Sequence, residues 1–338
     1  MVVLPRTVSK SEAVSPSDTS TQASSEWCQQ LSEKAQKSSW RIQYKDIQIE
    51  KELCRTLKST MHLGFWKGTE VAVKTLLMAE GHASGDSLEA LPASVAEELL
   101  HEIDVLSCIR HPNLVLFVGA CLDATHSIAC ITEYMPGGDL EAFYIAKRAT
   151  HQAIWRPHLK QVLQWATAVA RGMLFLHTRE VPLIHRDLKP LNLLLTKHLD
   201  LKIADLGISR VLAAGKGDGI YAMSGGVGSL RYMAPEVARH HYYNEKVDIY
   251  AFALILYFMS SGRQPFHHIG TDPEKVLDLY AKGEEPRPLL AECPRKLQGL
   301  LAAAWAADAA KRPGAASMLA SLEALESEVQ PSCLCSQM

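Results

Sequence analysis

His185-Arg-Asp-Leu-Lys-Pro-Leu-Asn192 runs directly into Leu193-Leu-Leu-Thr-Lys-His-Leu-Asp-Leu-Lys-Ile-Ala-Asp205, and this stretch decides how the rest of the chain is read. Two apolar-rich runs, 192–196 and 201–205, flank the polar turn Lys197–Asp200, which is the pattern of a β-hairpin. A turn centred between His198 and Leu199 sets Asn192 opposite Asp205, with Cβ atoms about 4.5–5.5 Å apart. An amide oxygen and a carboxylate at that separation are hard oxygen donors suited to Mg²⁺. Asp187 supplies a second carboxylate just before Asn192. Taken alone, the same residues also fit a polar hairpin mouth that holds no metal.

Working outward, Val71-Ala-Val-Lys74 follows a turn at Lys67-Gly-Thr69. Strand alternation puts Ala72 and Lys74 on one face and Val71 and Val73 on the other. A small residue beside a lysine leaves room for a flat ligand with an anionic end, although a lysine on an edge strand in solvent has the same local pattern. Between Glu97 and Leu106, Glu102 falls inside a helical apolar stripe, three residues after Leu99 and four before Leu106. A carboxylate on an inward stripe is costly unless a cation meets it or it reaches water, and Lys74 is a candidate cation.

The 338 residues carry 35 Lys+Arg against 37 Asp+Glu, a formal charge of −2, so a dedicated nucleic-acid binder is not expected. With 47% hydrophobic and 21% charged residues the composition is that of an ordinary globular protein with a sizeable core. The longest apolar stretch, Ile249 to Met259, is too short to span a membrane and reads as a buried core helix. MVVLPRTVSK has no apolar signal-peptide region, and Val2 stands where myristoylation needs glycine. Eight scattered cysteines without a CxxC pair suggest reduced thiols and a cytoplasmic location.

Residues 1–39, rich in Ser, Thr and Gln, read as a disordered arm with a short helix considered at Ser25–Lys37. Residues 79–95 read as a Gly/Ser/Ala-rich surface loop. Short strand-like runs precede that loop, and helical patterns dominate after about residue 159, with a long core helix from Leu159 to His177. A strand-rich first lobe and a helix-rich second lobe leave a cleft between them, a common seat for a ligand.

Together these features resemble the protein kinase superfamily. VAVK at Val71–Lys74, HRDLKPLN at His185–Asn192, DLG at Asp205–Gly207 and APE at Ala234–Glu236 follow the family's order and separations. IRHPNLVLFVGAC at 109–121, GTEVAVK at 68–74 and the flanking WRI are similar to the tyrosine-kinase-like group, while Lys189 resembles Ser/Thr-specific kinases. The resemblance implies an α+β, bilobal kinase fold, with a small β-rich N-lobe carrying one main helix and a larger helical C-lobe. It places an arm at 1–39, a kinase domain at 40–329 (N-lobe 40–132, hinge 133–138, C-lobe 139–329) and a tail at 330–338.

By that resemblance the cofactors are ATP and Mg²⁺ and the partners are protein substrates. Asp187 accepts the substrate hydroxyl proton, Asn192 and Asp205 hold the metal, and Lys189 steadies the γ-phosphate. Lys74, paired with Glu102, contacts the α- and β-phosphates. Thr132 is the gatekeeper residue, Glu133 to Met135 form the hinge against adenine, and Asp139 reaches the ribose. Cys54, Met61, Ala72 and Leu194 complete the nucleotide pocket. Glu236 with Arg312 resembles the family's structural ion pair, and Asp248 an anchor for the catalytic loop. Ser224 is the candidate for regulatory phosphorylation, with Arg186 as its partner.

The Gly-rich loop departs from the family. Its three glycines are expected at 54, 56 and 59, where Cys54, Thr56 and Ser59 stand. Weakened ATP binding is therefore expected, with the hydroxyls of Thr56 and Ser59 and the cation of Lys58 as compensations. The alternative function is a pseudokinase scaffold. His240-His241 and His267-His268 lack zinc-like companions and read as surface residues. The tail Cys333-Leu-Cys335-Ser-Gln-Met338 formally matches a prenylation pattern at Cys335. Ser336 and Gln337 are not aliphatic, however, so an unmodified tail is expected.

Overall fold

Strands β1 (Ile47–Arg55), β2 (Ser59–Trp66), β3 (Thr69–Leu76), β4 (Phe117–Asp123) and β5 (Ser127–Glu133) make an antiparallel sheet in the order β1-β2-β3-β5-β4. The computed structural model describes residue 33 and residues 40–56, 59–76, 93–123, 127–206, 210–211 and 230–329. Ser25–Lys37 as a unit, Lys58, Ser224, Cys333 and Cys335 lie outside the described residues. The β2–β3 hairpin closes through Lys67 and Gly68, both in the left-handed region at φ 50° and 79°, the two-residue turn whose twist suits flanking strands. Alternation then sorts β3 as expected. Val71 and Val73 are buried with Ile42, Ile47 and Ile131 on one face, and Ala72 and Lys74 are half-buried on the other.

That second face is covered by helix α1 (Ala93–Ser107), through Leu99, Leu100, Ile103 and Leu106. The loop expected over 79–95 therefore gives up its last three residues to α1.

The second lobe is built from α2 (Leu140–His151), α3 (Leu159–His177), α4 (Pro235–Ala238), α5 (Lys246–Ser261), α6 (Glu274–Ala281), α7 (Arg295–Ala304) and α8 (Ala315–Val329). Helix α3 has the bounds its apolar spacing predicts. Helix α5 is buried from Val247 to Ser261 because it is apolar all round, and it includes the run Ile249–Met259. Among the described residues no helix is long and apolar enough to cross a membrane.

Two short ladders lie within the second lobe. β6 (Leu183–Ile184) pairs with β9 (Arg210–Val211), and β7 (Leu193–Leu195) pairs with β8 (Leu201–Ile203). The β7–β8 hairpin forms as predicted, but its register differs by one residue: Leu194 faces Lys202 and Leu195 faces Leu201. The turn is centred on His198 because Leu199 takes a left-handed φ of 66° and adds an odd residue to the loop. Asn192 consequently meets Ala204, whose N–H donates to the Asn192 carbonyl at 2.8 Å, and Asp205 lies one residue further on.

Candidate active site

Asp248, in the first turn of α5 and 1% exposed, organises the loop between β6 and β7. Its Oδ2 accepts from the His185 N–H at 2.9 Å and meets His177 Nε2 at 2.8 Å, while Oδ1 accepts from the Arg186 N–H at 2.8 Å. Such bonds fasten a backbone that carries Arg186 in the left-handed region at φ 71°. The buried His185 ring donates from Nε2 to the Ala204 carbonyl at 3.0 Å, so its Nδ1 is left to accept from the Asp187 N–H at 3.3 Å. The resemblance-derived role of Asp248 thus has a physical counterpart in three hydrogen bonds.

Asp187, His185 and Asn192 converge next. Lys189 Nζ donates to Asp187 Oδ2 at 2.6 Å, and Asn192 Nδ2 donates to the same oxygen at 3.1 Å and to the Asp187 carbonyl at 2.8 Å. With its amide nitrogen engaged, Asn192 presents its amide oxygen as a ligand group. Asp205, at φ 61°, turns its carboxylate to Lys74 Nζ at 3.3 Å. Lys74 also donates to Glu102 Oε2 at 2.7 Å. Burial pulls the Lys74 ammonium down, but Asp205 and Glu102 together outweigh it and hold the group above its usual range. In return the Lys74 ammonium holds the Asp205 carboxyl below its ordinary value, against the effect of burial.

Mg²⁺ favours octahedral oxygen coordination and is usually bound through one or two protein ligands completed by phosphate oxygens and water. Asn192 and Asp205 fit that demand. Among the described residues no group of three His, Cys, Asp or Glu could hold a metal without help.

Above this cluster, Cys54 faces Met61, Met61 faces Lys74 and Lys74 faces Cys130 across the sheet. Directly opposite residues share a face, so this rank and the neighbouring Ala72–Thr132 pair project to the side of Lys74. β7 enters beneath: Gly137 N–H donates to the Leu195 carbonyl and Leu195 N–H to the Gly138 carbonyl, both at 2.9 Å, and Leu194 bridges to Asp139. A Cβ on Gly137 would lie 2.7 Å from that of Leu195, so the close crossing requires glycine. Met135 is buried, and Asp139 caps α2 by accepting from the Ala142 N–H at 2.8 Å. Of the expected pocket residues, Cys54, Met61, Ala72 and Thr132 thus lie on the Lys74 side of the sheet, Met135 is buried, and Asp139 and Leu194 are joined by a bridge.

The β1–β2 turn corrects one expectation. Ser59 N–H donates to Thr56 Oγ1 at 3.0 Å, and Thr56 N–H donates to the Ser59 carbonyl at 2.9 Å. The two hydroxyls also lie 3.2 Å apart. The groups named as compensation for the missing glycines are engaged with each other, because a Thr and a Ser three residues apart close a turn locally.

A family model described as protein tyrosine and serine/threonine kinase matches residues 47–322. This chain belongs to the protein kinase family. The serine/threonine-protein kinase VIK of Arabidopsis thaliana is 36% identical over 270 residues, 79% of this chain and 57% of its own length. A probable serine/threonine-protein kinase of Dictyostelium discoideum is 34% identical over 272 residues, 80% of this chain and 19% of its own. The serine/threonine-protein kinase CTR1 of Arabidopsis thaliana is 32% identical over 296 residues, 86% of this chain and 33% of its own. The chain thus spans less than two thirds of the length of each of these relatives. The resemblance read from the motifs and the bilobal fold it implied are both borne out.

Two further features of the kinase domain bear on the site. Glu236 of the APE motif meets Arg312 in a two-pronged pair at 2.5 and 2.8 Å, and Arg312 is 2% exposed. Sequence reading missed the partner of Glu133. Its Oε1 accepts from Lys202 Nζ at 2.6 Å and from the Leu116 N–H at 2.7 Å, tying the end of β5 to β8 and to the segment before β4. Glu133 pairs with Val71, which places its side chain on the face away from the cleft. Lys202, alternating with Leu201 and Ile203, carried the signal of an outward β8 lysine but not the identity of its partner.

Proposed function

We propose that this kinase domain transfers the γ-phosphate of Mg-ATP to serine or threonine hydroxyls of protein substrates. The observation that carries the reading is the convergence of Lys74, Glu102 and Asp205 on one side of the cleft and of Asp187, Lys189 and Asn192 on the other. Phosphoryl transfer depends on positioning and charge stabilisation more than on covalent chemistry, and these residues supply both.

In this reading Asp187 takes the proton of the substrate hydroxyl on Oδ1, its Oδ2 being held by Lys189 and Asn192. Lys74, fixed by Glu102, binds the α- and β-phosphates, and Lys189 meets the γ-phosphate. Asn192 and Asp205 hold the metal, which when bound neutralises charge on the phosphate oxygens. The hinge backbone at 133–135 receives adenine beside Ala72, Thr132, Met61 and Leu194, and the Asp139 oxygen not used in capping faces the ribose. Serine/threonine preference follows from Lys189 and from the names of the relatives. Eight scattered cysteines without a CxxC pair suit a reducing compartment, so we place the protein in the cytoplasm.

The scaffold alternative rests on the glycine-free turn, whose internal bonds favour weak nucleotide binding without altering the catalytic residues. Transfer of γ-phosphate to a generic protein substrate, measured beside Asp187→Asn, decides between them. The wild type is expected to transfer phosphate and the variant to lose about 10²–10⁴-fold in turnover with its fold intact, since an amide is a poor proton acceptor. Equal rates for the two proteins would overturn the assignment.

A further inference from the structure

An open groove of about 600 Å³ lies on the helical lobe. Arg148 of α2, Ile154 after it, Arg231 before the APE motif, and Arg263 and His267 after α5 line it. Its positive charge is poorly compensated. Arg231 is 9% exposed, yet among the described residues its guanidinium donates only to neutral carbonyls, those of Pro265 at 2.7 Å and Thr271 at 2.5 Å. Arg148 donates to the Gly262 carbonyl, lies over the Phe258 ring, and keeps a buried Nε without a hydrogen-bond partner among the described residues. No carboxylate of the described residues forms an ion pair with Arg148 or Arg231.

The acids nearby are already shared. Glu292 meets His267 at 2.9 Å and Arg263 at 3.4 Å, and also accepts from the Tyr257 hydroxyl. Glu141 accepts from Gln264 at 2.7 Å; burial pushes its carboxyl above the usual range while Arg148 and Arg231 pull it down, so it offsets part of their charge without pairing with either. A guanidinium taken out of water without a counter-charge is a costly arrangement that an arriving anion relieves. Ile154, 52% exposed, adds an aliphatic wall.

The groove also adjoins the catalytic loop. Arg231 is followed by Tyr232, Met233 and Ala234, which line a second cavity together with Arg186, the neighbour of Asp187. Tyr232 donates to Gln264 at 3.1 Å and so joins the two regions. We propose that this groove docks an acidic segment of the protein substrate, its carboxylates pairing with Arg148, Arg231 and Arg263 while an aliphatic side chain rests on Ile154. This deepens the kinase reading above and rests on it for the position of the substrate hydroxyl. The occupant is a peptide because the groove adjoins the catalytic loop, where a protein hydroxyl must sit, through Tyr232 and Gln264, and it is acidic because Arg148, Arg231 and Arg263 outnumber Glu141 and Glu292 there.

The test uses the full chain and two synthetic peptides that share a serine acceptor and differ only in a run of glutamates or of glutamines. The glutamate peptide is expected to show a KM about tenfold lower at equal kcat, an advantage that fades with added salt. Arg263→Gln and Arg148→Gln are each expected to erase the difference while leaving transfer to the glutamine peptide unchanged. Arg263 is partly exposed, so its variant keeps the test open if Arg148→Gln does not fold. Fluorescence polarisation of labelled peptides with alanine in place of serine reads docking without catalysis. Charge-dependent binding there with no phosphate transfer would sink the kinase reading and leave the docking proposal standing. Equal binding of glutamate and glutamine peptides overturns the proposal whether or not phosphate is transferred.

Discussion

Asp248 touches no proposed substrate atom, yet it fixes the residues that do. Burial alone would raise its carboxyl, but the His177 ring and the Arg186 N–H outweigh burial, so its folded value lies below the ordinary one. A carboxylate held that way adds stability that is complete above its unfolded pKa of about 3.9 and is lost as pH falls through the lower folded value. Asp248→Asn is therefore expected to be less stable than wild type by a steady margin near neutral pH. That margin should close below about pH 4 in denaturant titrations. A margin that stays constant into acid would show that the charge of Asp248 is not what anchors the loop. The identity of Asp248 as an anchor was legible only through motif order. Its partner His177 was not, because helical spacing reports which face is apolar and says nothing about which distant carboxylate a histidine meets.

At the scale of elements, the β1–β2 turn and the β5 end make separable statements about nucleotide affinity. Thr56 and Ser59 spend their N–H and hydroxyl groups on each other, so fewer backbone donors face a phosphate than in a glycine turn. Replacing Cys54, Thr56 and Ser59 by glycine together is expected to lower KM for ATP with little change in kcat. An unchanged or higher KM would mean the closed turn is itself the binding form. The Glu133–Lys202 pair works from beneath. Lys202→Met removes a partly buried ion pair worth about 1 kcal/mol, so KM for ATP should rise about fivefold, the hinge having lost a tether to β8. An unchanged KM would relegate the pair to the surface. The hairpin that carries Lys202 was read correctly as an element and misread by one residue. A leucine in the left-handed region at position 199 is not a choice that turn statistics anticipate.

For the molecule as a whole, α5 and the Glu236–Arg312 pair set the frame on which the catalytic loop rests. Arg312 is fully enclosed, lies over the Tyr250 ring of α5, and donates to the Lys246 and Ala306 carbonyls as well as to Glu236. Glu236→Ala leaves that cation without its counter-charge, and a loss of about 3–5 kcal/mol in urea unfolding is expected. Glu236→Gln, which keeps an acceptor, should lose less. Comparable losses for the two variants would show that lost packing rather than stranded charge dominates.

The sequence by itself determined the family and the two-lobed order of strands and helices, and it singled out Lys74, Glu102, Asp187, Asn192 and Asp205 as the proposed catalytic set. Those residues sit in contiguous motifs or at fixed helical and strand spacing, where local chemistry is enough to mark them. Only the tertiary structure decided the hairpin register, the mutual closure of Thr56 and Ser59, the Glu133–Lys202 tether and the arginine groove on the helical lobe. Each of these joins side chains through packing of several elements or through a single backbone dihedral, and neither leaves a periodic trace along the chain.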